Sequence, residues 1–384
     1  MALNSTTVGW MPEPQGRGTI GLVWSCLATI FICIWSALHL HLPSRGDGAL
    51  ARAFEQAGYV ILGLFAPEWL TYLALNDLER AMNLRRRCPT WSLKRCFFFF
   101  MGGMMIQRDN GAGAHYHCRP EPVELFELFE NGTIAWPDFK DSEIDDRTQG
   151  DHIVKIIALG QLVWFIAQIV GRAVDGLAVT TLELFTLSNV LCTVITYLVW
   201  WHKPNGVRAP IVIDGVYPPE ATSWSHFGLT SDLSLEQSKS LIASVLVGVG
   251  FGALHLVGWN FHFPSETERL LWRISSVGVT ATSIFMPGLS ALNSALKRPE
   301  DKRNTAGAIL FADKIITSIF RSWILTPSSV KMIQVLSTGL LMAPLGFYSI
   351  LRLYMFVEMF AGLRNTPATV YVTANWTQYL PTVG

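Results

Sequence analysis

The sequence predicts an all-α polytopic integral membrane protein, a helical bundle of about seven transmembrane helices with an eighth as a candidate. Two observations carry this. Half of the 384 residues are hydrophobic and only 15% are charged, where a soluble domain of this size carries about 25%. The charge is also unevenly spread, with long stretches that hold almost none.

The first such stretch is "TIGLVWSCLATIFICIWSALHLHL" (19–42), without a single acid, lysine or arginine. At 1.5 Å per residue it is long enough to cross a hydrocarbon core of roughly 30 Å. It begins too far from the N-terminus, and is too long, for a secretory signal. Further spans are expected at 57–76, 152–171, 176–201, 239–259, 271–293 and 332–351. The eighth candidate, 305–327, contains Asp313, Lys314 and Arg321, which are costly in lipid. "FFFFMGGMMI" (97–106) is too short to cross and reads as an interfacial or re-entrant piece.

This organisation makes residues 1–384 a single transmembrane domain with one large loop, 77–151. That loop holds ten Lys and Arg residues, the 202–239 loop three and the 294–331 loop seven. The positive-inside bias therefore places the N-terminus and these loops in the cytoplasm, and seven spans put the C-terminus in the lumen. The endoplasmic reticulum is the expected membrane. Of the sequons at Asn4, Asn131 and Asn375, only Asn375 is then lumenal and open to glycosylation.

Several function classes are disfavoured. The formal net charge is zero, so nothing points to nucleic acid. The six cysteines form no CxxC pair, and Cys88, Cys96 and Cys118 fall in the loop expected to stay reduced. There is no Walker-type loop, and "GVGFG" (248–252) lies within a span, where small residues serve helix packing. Aspartate-rich motifs for magnesium diphosphate are missing, "DDRTQGD" (145–151) being the nearest approach. "HYHC" (115–118) lacks a distant partner set for a metal. No metal and no cofactor is expected.

Polar residues inside spans carry the remaining information. Gln161, Gln168, Arg172 and Asp175 follow one another by 7, 4 and 3 positions, within about 60° on a helix of 3.6 residues per turn. Arg172 and Asp175 can pair there. The next span contains Glu183, on the same face as Thr186, Thr193 and Tyr197. Both stripes must face protein or water rather than lipid. Glu68 sits mid-span in "APEWL", beside Trp69 and one turn before Tyr72, where Pro67 leaves a backbone carbonyl without its usual partner. Trp35, His39 and His41 lie near the end of the first span, and Glu358 follows the last. Each has a plain structural reading: glutamines glue helices, Arg172 snorkels, histidines settle at an interface. Glu68 and Glu183 are the sharper candidates, since an unpartnered carboxyl group in an apolar interior stays neutral and is a proton donor in waiting.

The phrases "RGTIGLVWSC" (17–26), "CIWSALHLHLP" (33–43), "APEW" (66–69), "MGGM" (101–104), "LGQLVWF", "GLAVTTLELFTL", "WWHKPNGVRAP" (200–210) and "LRLYMFVEMF" (351–360) together resemble a group of fungal multi-pass membrane proteins. That group is similar to the membrane-bound terpene cyclases of ascofuranone and ascochlorin biosynthesis. The resemblance implies acid-initiated opening and cyclisation of a terminal epoxide on a farnesylated aromatic, without diphosphate ionisation. It carries no catalytic signature, so the residues rest on the reading above. Glu68 or Glu183 is expected as the acid and Asp175 or His39 as the proton acceptor. Arg172, Gln161 and Gln168 would position substrate, and Trp35, Trp69 and Trp164 would form an aromatic wall around the cation. The expected partners are a lipophilic small-molecule substrate and membrane lipid. Two other readings stand beside it: a proton- or ion-coupled transporter, and a noncatalytic membrane scaffold.

Overall fold

The computed structural model describes residues 6–13, 17–39, 42, 49–109, 115–148, 152–207, 209–217, 238–296 and 328–373. The candidate span 305–327, His41 and Asn375 lie outside these residues. The helices are α1 (Thr19–Ala37), α2 (Ala49–Phe65), α3 (Pro67–Arg87), α4 (Leu93–Phe100), α5 (Pro122–Glu130) and α6 (Asp141–Asp145), then α7 (His152–Val174), α8 (Thr181–Val199), α9 (Ser238–Leu256), α10 (Glu266–Leu296) and α11 (Ser328–Ala361). Five strands accompany them: β1 (Thr7–Val8), β2 (Met104–Asp109), β3 (His115–Cys118), β4 (Ile211–Tyr217) and β5 (Thr366–Pro367).

Among the described residues, five helical segments are long and apolar enough to cross a membrane: Thr19–Ala37, Ile156–Val174, Thr181–Val199, Leu241–Asn260 and Ala343–Arg364. α1 shows why. Leu22, Cys26, Ile30, Cys33 and Ile34 form one buried stripe, while Ile20, Trp24, Phe31 and Trp35 are exposed on the other side. A helix apolar on both faces needs an apolar environment outside the protein as well as within it.

The expected span 57–76 is broken. α2 and α3 meet at a 115° bend and count as a sixth crossing only if taken as one segment. Pro67 explains the break, because it has no N–H and its ring disfavours helical backbone at the preceding residue. Ala66 accordingly adopts φ −144° and ψ 65°. α10, at 31 residues, is long enough to cross but is not among the five segments.

The stretch expected to be a loop contains a folded module, and the sheet departs from an all-α reading. β2 pairs antiparallel with β3 and parallel with β4. Phe97–Phe100, expected at an interface, fill the core of this module from α4. Trp91 stacks edge-on against Trp136 and Phe139 at 5.6 and 5.7 Å. Gly103 is required here, since a Cβ would stand 2.4 Å from the Phe98 ring. Burial pushes the Cys96 thiol up to about 12, so it stays protonated and inert.

The bundle has two distinct ends. At one, β1 pairs with β5, Thr7 opposite Pro367 and Val8 opposite Thr366, and Thr19 Oγ1 donates to Tyr371 Oη at 2.9 Å. At the other lies the sheet module, where the Leu42 N–H donates to the Met101 carbonyl at 3.3 Å and Arg119 donates to the Leu42 carbonyl at 3.1 Å. α1 thus runs from the strand-paired end to the module end. α3 also finishes at the module, where Arg87 pairs with Glu130 at 2.9 Å. The α2–α3 hairpin therefore leaves the module end and returns to it, with its corner directed into the bundle. The N-terminal segment and the large loop, expected on one side, thus stand at opposite ends of α1.

Candidate functional site

Two buried polar clusters occupy different levels of the bundle. The first is built around Glu183. Gly176, at φ +67°, ends α7, and Thr180 caps α8. Thr180 Oγ1 accepts from the Glu183 N–H at 3.1 Å, while Glu183 Oε2 accepts from the Thr180 N–H at 2.9 Å, a reciprocal capping box. Arg17 pairs with Oε1 of the same carboxylate, and Arg172 Nε lies 3.8 Å from it. The Arg172 guanidinium also donates to the carbonyls of Val372, Ala178, Thr369 and Val370 at 2.7–3.0 Å. Glu183 is thus a fully partnered anion. It ties the start of α1, the α7–α8 turn and the C-terminal segment into one latch. A donor role for it as a neutral acid does not fit this geometry.

The second cluster forms at the corner between α2 and α3. Pro67 starts α3, so Glu68 falls in its first turn, where the helix dipole favours an acid. The Phe65 carbonyl, left open where α2 breaks because the Trp69 N–H turns to the Ala66 carbonyl instead, accepts from Arg352 Nε at 2.6 Å. Tyr348, one turn earlier on α11, donates its hydroxyl to Glu68 Oε1. The Arg352 guanidinium lies 4.8 Å from the Phe185 ring centre and 4.6 Å from that of Phe251. His255 packs on the same two rings at 6.0 and 4.8 Å and on Trp272 at 6.1 Å. Its Nδ1 is 2.9 Å from the Phe251 carbonyl. A carbonyl only accepts, so in neutral His255 Nδ1 carries the hydrogen and Nε2 the lone pair.

Unlike Glu183, whose two carboxylate oxygens are both held, the acid here keeps one oxygen without a partner, and its neighbours keep nitrogens likewise. Glu68 Oε2, His255 Nε2, and Arg352 Nη1 and Nη2 are buried and have no hydrogen-bond partner among the described residues. Nearly all buried polar groups in proteins are bonded, and each exception calls for an explanation. Four such atoms on three adjoining residues, enclosed by Phe185, Phe251 and Trp272, mark the candidate site.

The other expected residues fall elsewhere. Gln161 donates to Thr29 Oγ1 at 2.8 Å, joining α7 to α1. Gln168 is half-buried on the same helix, and Asp175 is half-buried at its end. His39 is buried at the module end, its ring 5.7 Å from that of Trp200. Trp35 and Trp164 face outward, 46% and 53% exposed, and so cannot wall an interior cation. Trp69 packs against the cluster containing Leu184, Phe251 and Trp272, with Tyr72 edge-on at 5.8 Å. An open recess of about 480 Å³ lies between α10 and α11, lined by Gly278, Thr282, Phe285, Pro344 and Phe347. Phe347 and Arg352 are about 140° apart around α11 at 100° per residue, so this recess is on a different face from the polar cluster. Among the described residues no group of His, Cys, Asp and Glu is arranged to hold a metal ion.

Tyr348, Arg352, His255, Phe185 and Phe251 were not candidates in the sequence. One clue was available, the break in the helix that Pro67 imposes beside Glu68. Another, "TTLE" at 180–183, has the S/T-x-x-E form of a capping box and assigns Glu183 to helix capping.

Fold and site together define a class: a predominantly helical protein with five or six helices of membrane-crossing length, enclosing an acid, a phenol, a guanidinium and an imidazole. The chain belongs to a family of unknown function (DUF8562), which matches residues 1–224 and 217–383. No curated protein and no solved structure matches it.

Proposed function

We propose that this protein is a membrane-embedded terpene cyclase that opens and cyclises a terminal epoxide on a farnesylated aromatic substrate. One observation carries the proposal: Glu68 has one oxygen held by Tyr348 and the other buried without a partner. In this reading Glu68 Oε2 gives its proton to the epoxide oxygen as the C–O bond breaks. An alkene π pair or an internal hydroxyl closes the ring. His255 Nε2 takes the final proton, which is returned to Glu68, so the net reaction is an isomerisation. Tyr348 positions the acid, and Phe185, Phe251 and Trp272 shield the cation from water. Of the two expected acids this reading keeps Glu68 and drops Glu183, and His255 takes the acceptor role expected of Asp175 or His39.

The membrane arrangement that suits the fold has six crossings: α1, α7, α8, α9, α10 and α11, with α2–α3 re-entering from the module side. The β1–β5 pairing, which holds Thr7–Val8 beside Thr366–Pro367, supports an even number. The charge bias is kept: Arg52 on α2 joins the basic residues of the module, while Arg17 joins the sparse opposite side. With the module in the cytoplasm, Asn4 and Asn375 are both open to glycosylation in the endoplasmic reticulum and Asn131 is not. A mobility shift removed by Asn131→Gln would contradict this arrangement.

The activity test is mass spectrometry of microsomes containing the protein and a farnesyl-phenol epoxide. The expected product has unchanged mass and altered retention and is lost in Glu68→Gln. A well-expressed native protein that leaves several such epoxides untouched overturns the proposal. The second reading, a proton-coupled transporter, draws on the same charged residues within membrane-length helices. It predicts gradient-dependent flux in proteoliposomes with no change to the substrate.

A further inference from the structure

Arg352 has more hydrogen-bonding capacity than its surroundings use. It is 1% exposed, its Nε is occupied by the Phe65 carbonyl, and Phe185 and Phe251 lie within 5 Å of its centre. Both terminal nitrogens remain buried without a partner. No ion pair joins Arg352 to Glu68 among the described residues, and Glu68 Oε1 is taken by Tyr348. A guanidinium whose Nη1 and Nη2 are free presents the forked donor geometry that matches a planar anionic head. The aromatic rings beside it suit a head attached to an apolar body.

Charge balance points the same way. This step rests on the proposed function: a Glu68 that donates a proton is uncharged and supplies Arg352 with no counter-charge. A buried cation without a counter-charge is strongly disfavoured, so the acid form of Glu68 and an anion on Arg352 belong to the same state. We infer that Arg352 is the receptor for the anionic head of a lipophilic organic acid, a carboxylate or phenolate. The ligand's charged end is then seated beside Glu68 while its apolar chain carries the reacting group.

The test uses the full chain in nanodiscs, with dodecanoate, dodecanol and acetate as probes of thermal stability and affinity. Dodecanoate is expected to stabilise the protein in a saturable way, while dodecanol and acetate do not. Arg352→Gln should weaken dodecanoate at least tenfold. Arg352→Lys, which keeps the charge and loses the fork, should fall between. Each variant is compared at equal monodispersity, so a folding defect is not scored as lost binding. Equal stabilisation by dodecanol or acetate, or unchanged dodecanoate affinity in a well-folded Arg352→Gln, overturns the inference. The two proposals fail separately. Arg352-dependent carboxylate binding without epoxide conversion removes the cyclase alone. Equal conversion of a farnesyl-phenol epoxide and its phenol methyl ether removes the anion site alone.

Discussion

Glu183 and Glu68 are both buried acids near arginines, yet their surroundings differ in kind. Glu183 receives Arg17, approaches Arg172 and closes a capping box. Glu68 receives one phenol and keeps an oxygen to spare, beside an arginine with two spare nitrogens and a histidine with one. Burial is therefore a poor guide to role in this molecule. The informative quantity is what remains unpaired. An acid whose two oxygens are both held fixes helices relative to one another, whereas one with an unpartnered oxygen retains interaction energy for a ligand or a transition state.

The largest effect expected from this contrast is chemical. Glu68→Gln preserves shape and the contact with Tyr348 but removes the transferable proton, so epoxide conversion should fall about 100-fold or more. Its melting temperature should stay close to that of the native protein. A variant that loses activity only in proportion to folded protein would make Glu68 a second structural acid.

Glu183→Gln should do the reverse. It leaves Arg17 and Arg172 facing a neutral amide, and breaking such a buried pair costs about 3–5 kcal/mol. The low end is expected, because the Arg17 side chain is 20% exposed. Thermal stability in detergent should drop, while conversion per folded molecule should remain. Arg172→Lys probes the same latch more gently, since it keeps a charge but cannot reach four carbonyls. A loss of about 1–2 kcal/mol is expected from hydrogen bonds to charged groups, together with faster proteolysis of residues 366–373. Stable Glu183→Gln protein with abolished conversion would reverse the roles assigned to the two clusters.

How much of this was legible beforehand depended on distance along the chain. Local signals worked: uncharged stretches marked α1, α7, α8 and much of α9, and Pro67 marked a point of free backbone. The capping box at 180–183 was equally local, but a mid-span acid reads as functional until its caps are counted. The rest came from residues far apart in sequence. Glu68 meets Tyr348 across 280 positions and Arg172 meets the Val372 carbonyl across 200, and no periodicity encodes such pairings. The sheet was hidden for a related reason. β2 finds β4 about 100 residues later, and Phe97–Phe100 carry the same apolar signal in a module core as in an interface. The proposed crossing count rests on β1 and β5, only two residues each, which are too short to register as strands.

Gln161 gives the smallest and most discriminating case. It belongs to the stripe at 161–175 that first suggested a polar interior, and it holds a single partner, Thr29 Oγ1 at 2.8 Å. Thr29 is already satisfied from its own helix, donating to the Ser25 carbonyl at 2.7 Å. Gln161→Leu therefore removes one interhelical bond and strands no buried donor on α1. Such bonds between helices in lipid average about 0.6 kcal/mol, so the melting temperature should move by no more than a few degrees with conversion intact. A loss several times larger would mean that the stripe acts as a coupled network with Arg172. An unchanged melting temperature with impaired conversion would bring α7 into the substrate path, and the separation between latch and site would have to be redrawn along that helix.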